Sequence, residues 1–232
     1  MSHNPVKSDS RVFYRNVFAL VVPMALQNLI NVAVTSADVM MLGQVGETVL
    51  SASSLAGQVQ FIMTLFFFGL TSGAAILTAQ YWGKGDTRTI EKVLGIALRF
   101  SLCTGLVFTL AALLFPSQLM RVFTPEEAVI AEGVKYLRLI ALSYIPMAIT
   151  NVYLNIMRSV ERVVVSTVTY LVSLITNVCL NAVFIFGLLG CPAMGIEGAA
   201  LGTICARLVE LVIVIVYSKR INRTIRFRVR DI

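Results

Sequence analysis

The residues of this chain that could do chemistry are few, and the most informative ones lie inside long apolar stretches. Asp38 comes first, because an ionisable side chain inside a membrane span is costly and marks a functional site. Counting back from Gly43 at the helical rise places Asp38 roughly 8 Å inside the outer end of its span. Its short side chain does not easily reach water from there, so we predict a function for this carboxylate within the membrane.

Polar residues accompany Asp38 at helical spacing. Gln27, Asn31 and Asp38 fall within about 20° of one another around a helix, and Thr35 lies nearby. The first apolar stretch therefore carries one polar stripe on an otherwise apolar surface.

A second polar stripe lies on the fifth apolar stretch, where residues three or four apart share a helix face. Its members are Thr169, Ser173, Thr176, Asn177 and Asn181. For Thr169 and Ser173 we predict hydrogen bonds between helices, worth about 0.6 kcal/mol each. For Asn177 and Asn181 the spacing fits that role and a role in a site equally well.

The sixth stretch carries Ala199, Thr203, Arg207 and Glu210 along one face. Arg207 and Glu210 are three residues apart and can form an ion pair, for which we predict a structural role.

Three of these positions fall at one depth. Asp38, Asn181 and Thr203 each lie about 8 to 9 Å below the predicted outer ends of their helices. A carboxylate, amide oxygens and a hydroxyl at one level resemble the oxygen cage that a hard cation or a proton relay requires. Na+ and H+ both fit this chemistry.

The sequence lacks the residues that other kinds of functional site require. His3 is the only histidine, so His-based metal sites and catalytic triads are excluded. The sequence has no phosphate-binding loop of the G-x-x-x-x-G-K-[ST] type. We predict no enzyme, no cofactor, and no metal ion other than Na+ at Asp38.

The composition defines the elements that must position these residues. Of the 232 residues 57% are hydrophobic and 13% charged, against about 25% charged in soluble domains, so lipid surrounds most of the chain. Six apolar stretches can each cross a bilayer as a helix: 17–42, 50–81, 90–115, 136–157, 163–188 and 195–217. They lack the alternation of barrel strands. We predict an all-α, polytopic membrane fold.

Prolines and capping residues mark bends and ends in these helices. Pro23 and Pro146 fall inside spans and are expected to kink them. Between the third and fourth spans, Thr124 reads as the N-cap of a short surface helix, with Glu127 completing a capping box.

Basic residues set the orientation. Nineteen Lys and Arg against twelve Asp and Glu give a net charge of +7. Fifteen of the nineteen fall on one side of the predicted spans and three on the other, which places both termini in the cytoplasm. This bias explains the positive charge without nucleic acid, and the basic end can contact anionic lipid.

The predicted organisation follows from these spans. Residues 1–16 form a cytoplasmic tail, 17–217 a transmembrane lobe, and 218–232 a basic cytoplasmic segment. We expect a multi-pass protein of the cell (inner) membrane.

Four segments, taken in their order and spacing, resemble the multidrug and toxic compound extrusion (MATE) transporters. The first is Pro23 followed by Asp38-Val39-Met40-Met41-Leu42-Gly43, and the second runs from Gly73 through Gln80-Tyr81-Trp82-Gly83-Lys84-Gly85-Asp86. The third is Asn177-Val178-Cys179-Leu180-Asn181-Ala182-Val183-Phe184-Ile185-Phe186-Gly187, and the fourth is Met194-Gly195-Ile196-Glu197-Gly198-Ala199-Ala200 with Thr203. The match covers almost the whole chain.

The resemblance implies a fold of two six-helix lobes, with substrate between the lobes and ion coupling within the first. It implies that Asp38 is the cation-coupling carboxylate, with Asn177, Asn181, Ala199 and Thr203 lining its cavity. Some archaeal members have Asp where this chain has Asn181, so the choice between Na+ and H+ stays open. Glu161 is a departure, because many relatives have Gly at that position.

Length is the larger departure, since family members have about twelve helices and this chain ends after six. We expect the first lobe only, as a fragment that lacks the C-terminal lobe or as a half-size protein that pairs with a second copy. Residues 218–232 then begin the interlobe linker.

The function that the resemblance implies is antiport. An ion binds at Asp38, bends the first helix near Pro23 and drives out an amphipathic, often cationic drug or toxin. Alternatives are a lipid-linked or polysaccharide flippase or exporter of the same superfamily and a non-transporting membrane scaffold. The former would need more Arg and Lys in its cavity, and the latter would need no carboxylate inside the membrane.

Overall fold

Helices form nearly all of the structure. The computed structural model describes residues 10–222, apart from the side chains of 10–13, 15–16, 19–20, 23–24, 27, 31 and 221. This range contains eight α-helices and no strand. The helices are α1 Ser10–Val45, α2 Glu47–Gly83, α3 Thr87–Leu114, α4 Pro116–Phe123, α5 Glu127–Ile140, α6 Tyr144–Ser159, α7 Val163–Phe186 and α8 Ile196–Val216. The predicted all-α fold class is confirmed.

Five helical stretches in the described part of the chain are long and apolar enough to cross a membrane: Glu47–Gly83, Thr87–Leu114, Glu127–Ser159, Val163–Phe186 and Ile196–Arg220. The chain is therefore a multi-pass membrane protein. The first predicted span, 17–42, falls on α1, where several side chains lie outside the described residues, and it stays a prediction.

The stretch from Glu127 to Ser159 is helical along its whole length but changes helix type. A 3-10 turn, Ala141–Ser143, joins α5 to α6, and Pro146 lies in the first turn of α6. Proline is tolerated there because the first amides of an α-helix have no partner within it. The backbone of α1 is helical through position 23, whereas the side chain of Pro23 lies outside the description.

The prediction for Thr124 is wrong. This residue ends α4 in an extended conformation, and α5 begins at Glu127 with Glu126 as its N-cap. The Thr124 hydroxyl accepts a hydrogen bond from the Glu126 amide, at 3.2 Å. This local turn takes the threonine oxygen that the capping box would have used.

The turn between α2 and α3 is held by Asp86. Its Oδ2 accepts from the Thr89 hydroxyl at 2.6 Å, and its Oδ1 accepts from the Thr89 amide at 3.1 Å. Asp86 thereby caps α3. Both bonds favour the charged carboxylate, the one from the Thr89 hydroxyl more than the one from the Thr89 amide. They lower the pKa of Asp86 below its usual value.

The turn between α6 and α7 contains a strained residue. Glu161 has a φ of 63°, in the left-handed region that favours glycine. The Glu161 amide donates to the Arg158 carbonyl and the Arg162 amide to the Met157 carbonyl, at 3.1 and 2.9 Å. The turn is thus kept tight at the one position where many relatives are expected to have Gly.

The helices pack in two groups that enclose a cavity. In the first group α7 packs against both α1 and α8, and in the second α3 and α6 pack against α2 and each other. α5 and α6 connect the groups, since both also contact α8. Apolar clusters fill the second group, around Met63, Phe67 and Tyr144 at one end and around Leu94, Leu98 and Tyr153 at the other.

Candidate functional site

A cavity of about 570 Å³ lies between the two groups of helices. It is lined from α1 by Val34, Thr35 and Asp38, from α2 by Gln60, Phe61 and Thr64, from α5 by Tyr136, from α6 by Met147 and Asn151, from α7 by Tyr170, Ser173, Leu174 and Asn177, and from α8 by Thr203, Ala206, Arg207 and Glu210. Polar residues of three predicted spans therefore meet in one cavity.

Asp38 is the start of a chain of hydrogen bonds across three helices. Its Oδ1 accepts from Nδ2 of Asn181 at 2.6 Å. The same amide nitrogen donates to Oδ1 of Asn177 at 3.3 Å. Asn177 Nδ2 donates to the Thr203 hydroxyl at 3.2 Å, and that hydroxyl donates to the Ala199 carbonyl at 3.0 Å. The arrangement fixes a carboxylate of α1 against amides of α7 and a hydroxyl of α8.

Two glycines of α8 allow this close approach. A Cβ at Gly198 would lie 2.6 Å from the backbone carbonyl of Phe184, and a Cβ at Gly202 would overlap Oδ1 of Asn181. The four-residue spacing of these glycines places both on the face of α8 that contacts α7. Asn181 is fully buried there, and among the described residues its Oδ1 has no hydrogen-bond partner.

A second group of charges, on α8, lines the same cavity. Nη1 of Arg207 donates to both carboxylate oxygens of Glu210, at 2.8 and 2.9 Å. The Thr150 hydroxyl of α6 donates to Oε2 of Glu210 at 3.5 Å. The ion pair predicted from the spacing is present, and it faces the cavity that holds Asp38.

The other predicted site residues are placed as follows. Thr35 lines the cavity. Ala199 packs beside Leu42 and Ile185 instead of lining it, and reaches the site through its carbonyl. The side chains of Pro23, Gln27 and Asn31 lie outside the described residues, so their predicted roles stay predictions.

The prediction of an interhelical bond is wrong for Thr169, whose hydroxyl donates to the carbonyl of Val165 in its own helix, at 2.8 Å. This back-bonding satisfies the hydroxyl without a second helix. Ser173, assigned to helix contacts, lines the cavity instead.

Sequence reasoning missed five polar residues of the cavity wall: Gln60, Thr64, Tyr136, Asn151 and Tyr170. The spacing of Gln60 and Thr64 by four residues was a usable signal, since it places both on one face of α2. The tyrosines gave no such signal, because single tyrosines in a span are common at interfaces and in cores.

The fold and the site together define a multi-pass helical membrane protein with a polar cavity inside its bundle. The chain belongs to the MatE family, whose model matches residues 23–183, and the predicted resemblance is confirmed. Members of this family are transporters and not enzymes.

Curated relatives match along most of the chain. A probable multidrug resistance protein NorM of Rhizobium meliloti (strain 1021) is 32% identical over 220 residues, which are 92% of this chain and 46% of that protein. The probable multidrug resistance protein YoeA of Bacillus subtilis (strain 168) is 25% identical over 222 residues, which are 95% of this chain and 48% of that protein. The chain spans about half the length of these relatives.

Solved structures share the fold. One is described as the outward-facing conformation of a multidrug resistance MATE family transporter of the MOP superfamily. It superposes with a TM-score of 0.83 at 21% identity, covering 93% of this chain and 47% of that one. The described helices are thus arranged as in half of a MATE transporter.

Proposed function

We propose that this chain is the ion-coupled lobe of an antiporter that exports amphipathic, often cationic drugs or toxins in exchange for Na+ or H+. The observation that carries the proposal is the Asp38 carboxylate, held by the Asn181 amide beside a polar cavity inside the helical bundle. The relatives named as probable multidrug resistance proteins support the substrate class.

The hydrogen bond between Asp38 and Asn181 links ion loading to helix packing. A hydrogen bond to a charged group is worth about 1.5 to 3 kcal/mol, and the amide nitrogen of Asn181 favours the ionised carboxylate. A proton or Na+ that binds Asp38 neutralises this charge and weakens the bond. Because the bond joins α1 to α7, loading loosens α1 at this level.

Release of α1 is the proposed conformational step. An ion shifts the equilibrium between two conformations only by its difference in affinity for them. We propose that the loaded state favours an α1 that bends near Pro23 and narrows the cavity, and that the ion-free state favours the packing seen here. Substrate leaves as the cavity narrows.

The complete transporter needs a second lobe. We propose that this lobe is supplied by a C-terminal half or by a second copy of the chain, with substrate bound between the lobes. The assembly lies in the cell (inner) membrane, in contact with lipid, and both termini face the cytoplasm.

Cation binding by the chain in lipid nanodiscs tests the site directly. Asp38→Asn removes the charge with little change in size, and the matched control is Asp86→Asn, which makes the same change at an exposed turn where Asn is also a good N-cap. We expect Na+ or H+ uptake to be lost in Asp38→Asn and kept in Asp86→Asn. Calorimetry measures Na+, and the infrared band of the protonated carboxyl reports H+. Equal binding in the wild type and Asp38→Asn would disprove the assignment.

Transport requires both lobes. We expect a fusion of this chain to the second half of the Rhizobium meliloti relative to drive efflux of a fluorescent organic cation from vesicles under an imposed gradient. Comparison of Na+ and H+ gradients identifies the coupling ion. Gradient-driven efflux that survives Asp38→Asn would contradict the antiport mechanism, even if the chain binds ions.

A further inference from the structure

Arg207 lies in the cavity of Asp38 but takes no part in the hydrogen bonds that hold this carboxylate. It is placed four residues after Thr203 on α8, so both side chains lie on one face of the helix, one turn apart. Thr203 is linked to Asp38 through Asn177 and Asn181. Arg207 is therefore the charged residue one helical turn along α8 from a member of this hydrogen-bonded group.

Charged and titratable side chains line the Asp38 cavity from three of the surrounding helices. α8 contributes Arg207 and Glu210, α5 contributes Tyr136, and α7 contributes Tyr170. The walls from α2 and α6 contribute polar but uncharged Gln60 and Asn151. Among the described lining residues Arg207 thus carries the positive charge, and it lines the same cavity as Asp38.

The ion pair with Glu210 engages a single nitrogen of the Arg207 guanidinium. Both oxygens of Glu210 meet one nitrogen, Nη1, which differs from the fork-to-fork arrangement in which two nitrogens each meet one oxygen. The Glu210 side chain is 1% exposed and that of Arg207 is 25% exposed. The carboxylate is therefore buried within the bundle, while the Arg207 side chain is partly exposed and lines the cavity.

The direction of helical side chains decides where Arg207 would go without Glu210. Side chains on an α-helix lean toward its N-terminus, and on α8 that direction leads to Thr203 and the level of Asp38. Glu210 follows three residues later and leans back over Arg207. Its carboxylate accepts both bonds from Nη1 of Arg207, and without this partner the guanidinium can lean toward Thr203.

We propose that Arg207 is a tethered cation that competes with the coupling ion for the Asp38 carboxylate, and that Glu210 sets the strength of this competition. The inference rests on the proposed function for the role of Asp38 as the loading site. Arg207 is then a positioning and tuning residue. Arg207 keeps the affinity of Asp38 for the ion low enough for release, because the ion-free carboxylate can pair with the guanidinium.

The test follows the loading of Asp38 by protons in the full chain in nanodiscs. The readout is the pH at half-intensity of the protonated-carboxyl infrared band that Asp38→Asn removes. Glu210→Gln frees the guanidinium, and we expect half-loading to need about tenfold more protons, as for a carboxylate gaining a nearby positive charge. The matched control is Glu127→Gln, because Glu127 pairs with Arg121 at 3.1 Å on the exposed surface.

The second variant reverses the shift. Arg207→Gln alone leaves Glu210 buried without its partner, which can prevent folding, so the change is made together with Glu210→Gln. We expect half-loading of this double variant at fewer protons than the wild type needs, and no shift in Glu127→Gln. A purely structural role would move both variants in the same direction.

Two outcomes would overturn the inference: a Glu210→Gln shift toward easier loading or none at all, and a double variant that shifts as Glu210→Gln does. Failure of Asp38 to load in any variant would contradict the proposed function as well. If Asp38 loads at the same pH in the wild type and in the Arg207 and Glu210 variants, this inference is contradicted but the proposed function is not.

Discussion

Asn181 connects the chemistry of the site to the packing around it. Its amide nitrogen holds Asp38, and its amide oxygen is pressed against Gly202 of the neighbouring helix. That Asp38, Asn181 and Thr203 come together could be predicted because the rise of an α-helix is constant. The contact with Gly202 could not, since it depends on how closely two helices approach. Tyr170 was not assigned to the site because a single tyrosine in a span is common, and Glu210 was not because its spacing from Arg207 indicated a structural ion pair.

Gly202→Ala tests this contact. The added methyl overlaps Oδ1 of Asn181, whose helix is fixed by the backbone contact at Gly198, so we expect Asn181 to rotate away from Asp38. Overpacking of this kind costs about 1 to 3 kcal/mol. The measurement is thermal unfolding together with Na+ or H+ binding, both of which should weaken.

Gly69→Ala is the matched control, because a Cβ at Gly69 on α2 meets nothing within 4 Å. It replaces a glycine within a helix without a clash and should leave ion binding unchanged. Wild-type ion binding and stability in Gly202→Ala would show that Asn181 does not hold Asp38 through this contact.

At the scale of elements, helix ends show where local sequence decides and where it does not. The turn after α2 agrees with its local sequence, because α2 ends at Gly83 and Asp86 caps the start of α3. The start of α5 was predicted wrongly, because the capping box and the turn at Thr124 compete for one hydroxyl and the sequence does not show which wins. Glu161 was recognised only as a departure from the family, and its φ of 63° supplies the physical reason.

Acidification tests the cap of α3. The bonds from Thr89 lower the pKa of Asp86 in the folded state, so their contribution to stability is present above the usual pKa of Asp, about 3.9. It is lost as the pH falls through the lowered folded value. We expect protection of the Thr89 amide from hydrogen exchange to decline over this range in the wild type.

Asp86→Asn keeps a capping side chain that does not titrate, so its Thr89 protection should be independent of pH over the same range. Asp86→Ala should lose protection severalfold at every pH. Equal pH profiles in the wild type and Asp86→Asn would show that another group controls the turn.

Glu161→Gly should stabilise the protein. A non-glycine residue in the left-handed region costs about 1 to 2 kcal/mol, part of which is offset by the greater freedom of glycine in the unfolded chain. We expect a gain of about 1 kcal/mol in the free energy of unfolding, seen as a higher midpoint in thermal unfolding.

The comparison is Glu126→Gly, where φ is −78° and glycine relieves no strain. This variant should be neutral or less stable. A stability gain of the same size at both positions would mean that backbone strain at Glu161 is not the cause.

At the scale of the whole molecule, α3 separates the turn at Asp86 from the turn at Glu126, so the two turns lie on opposite sides of the membrane if α3 spans it. If both termini are cytoplasmic, Asp86 lies in a cytoplasmic turn and Glu126 in an external one. The bias of basic residues predicts this orientation, and the packing of the helices is compatible with either direction, since no contact within a bundle refers to the membrane sides.

Thiol labelling decides the orientation. In a background without the four native cysteines, we expect Glu126→Cys to react with an impermeant maleimide added outside intact cells, and Asp86→Cys to react only after the membrane is opened. Glu126 is exposed and Asp86 is half-buried beside the exposed Gly83 and Gly85, so each position is compared before and after the membrane is opened. The reverse pattern would invert the predicted topology.

The cavity between the two groups of helices also has a consequence for hydration. At about 30 Å³ of liquid volume per water molecule, a space of about 570 Å³ has room for on the order of twenty waters. A cycle that narrows this space must release much of that water and take it up again. In the proposed cycle osmotic pressure then becomes a variable of the conformational equilibrium, and solutes too large to enter the cavity favour the narrowed state without binding to the protein.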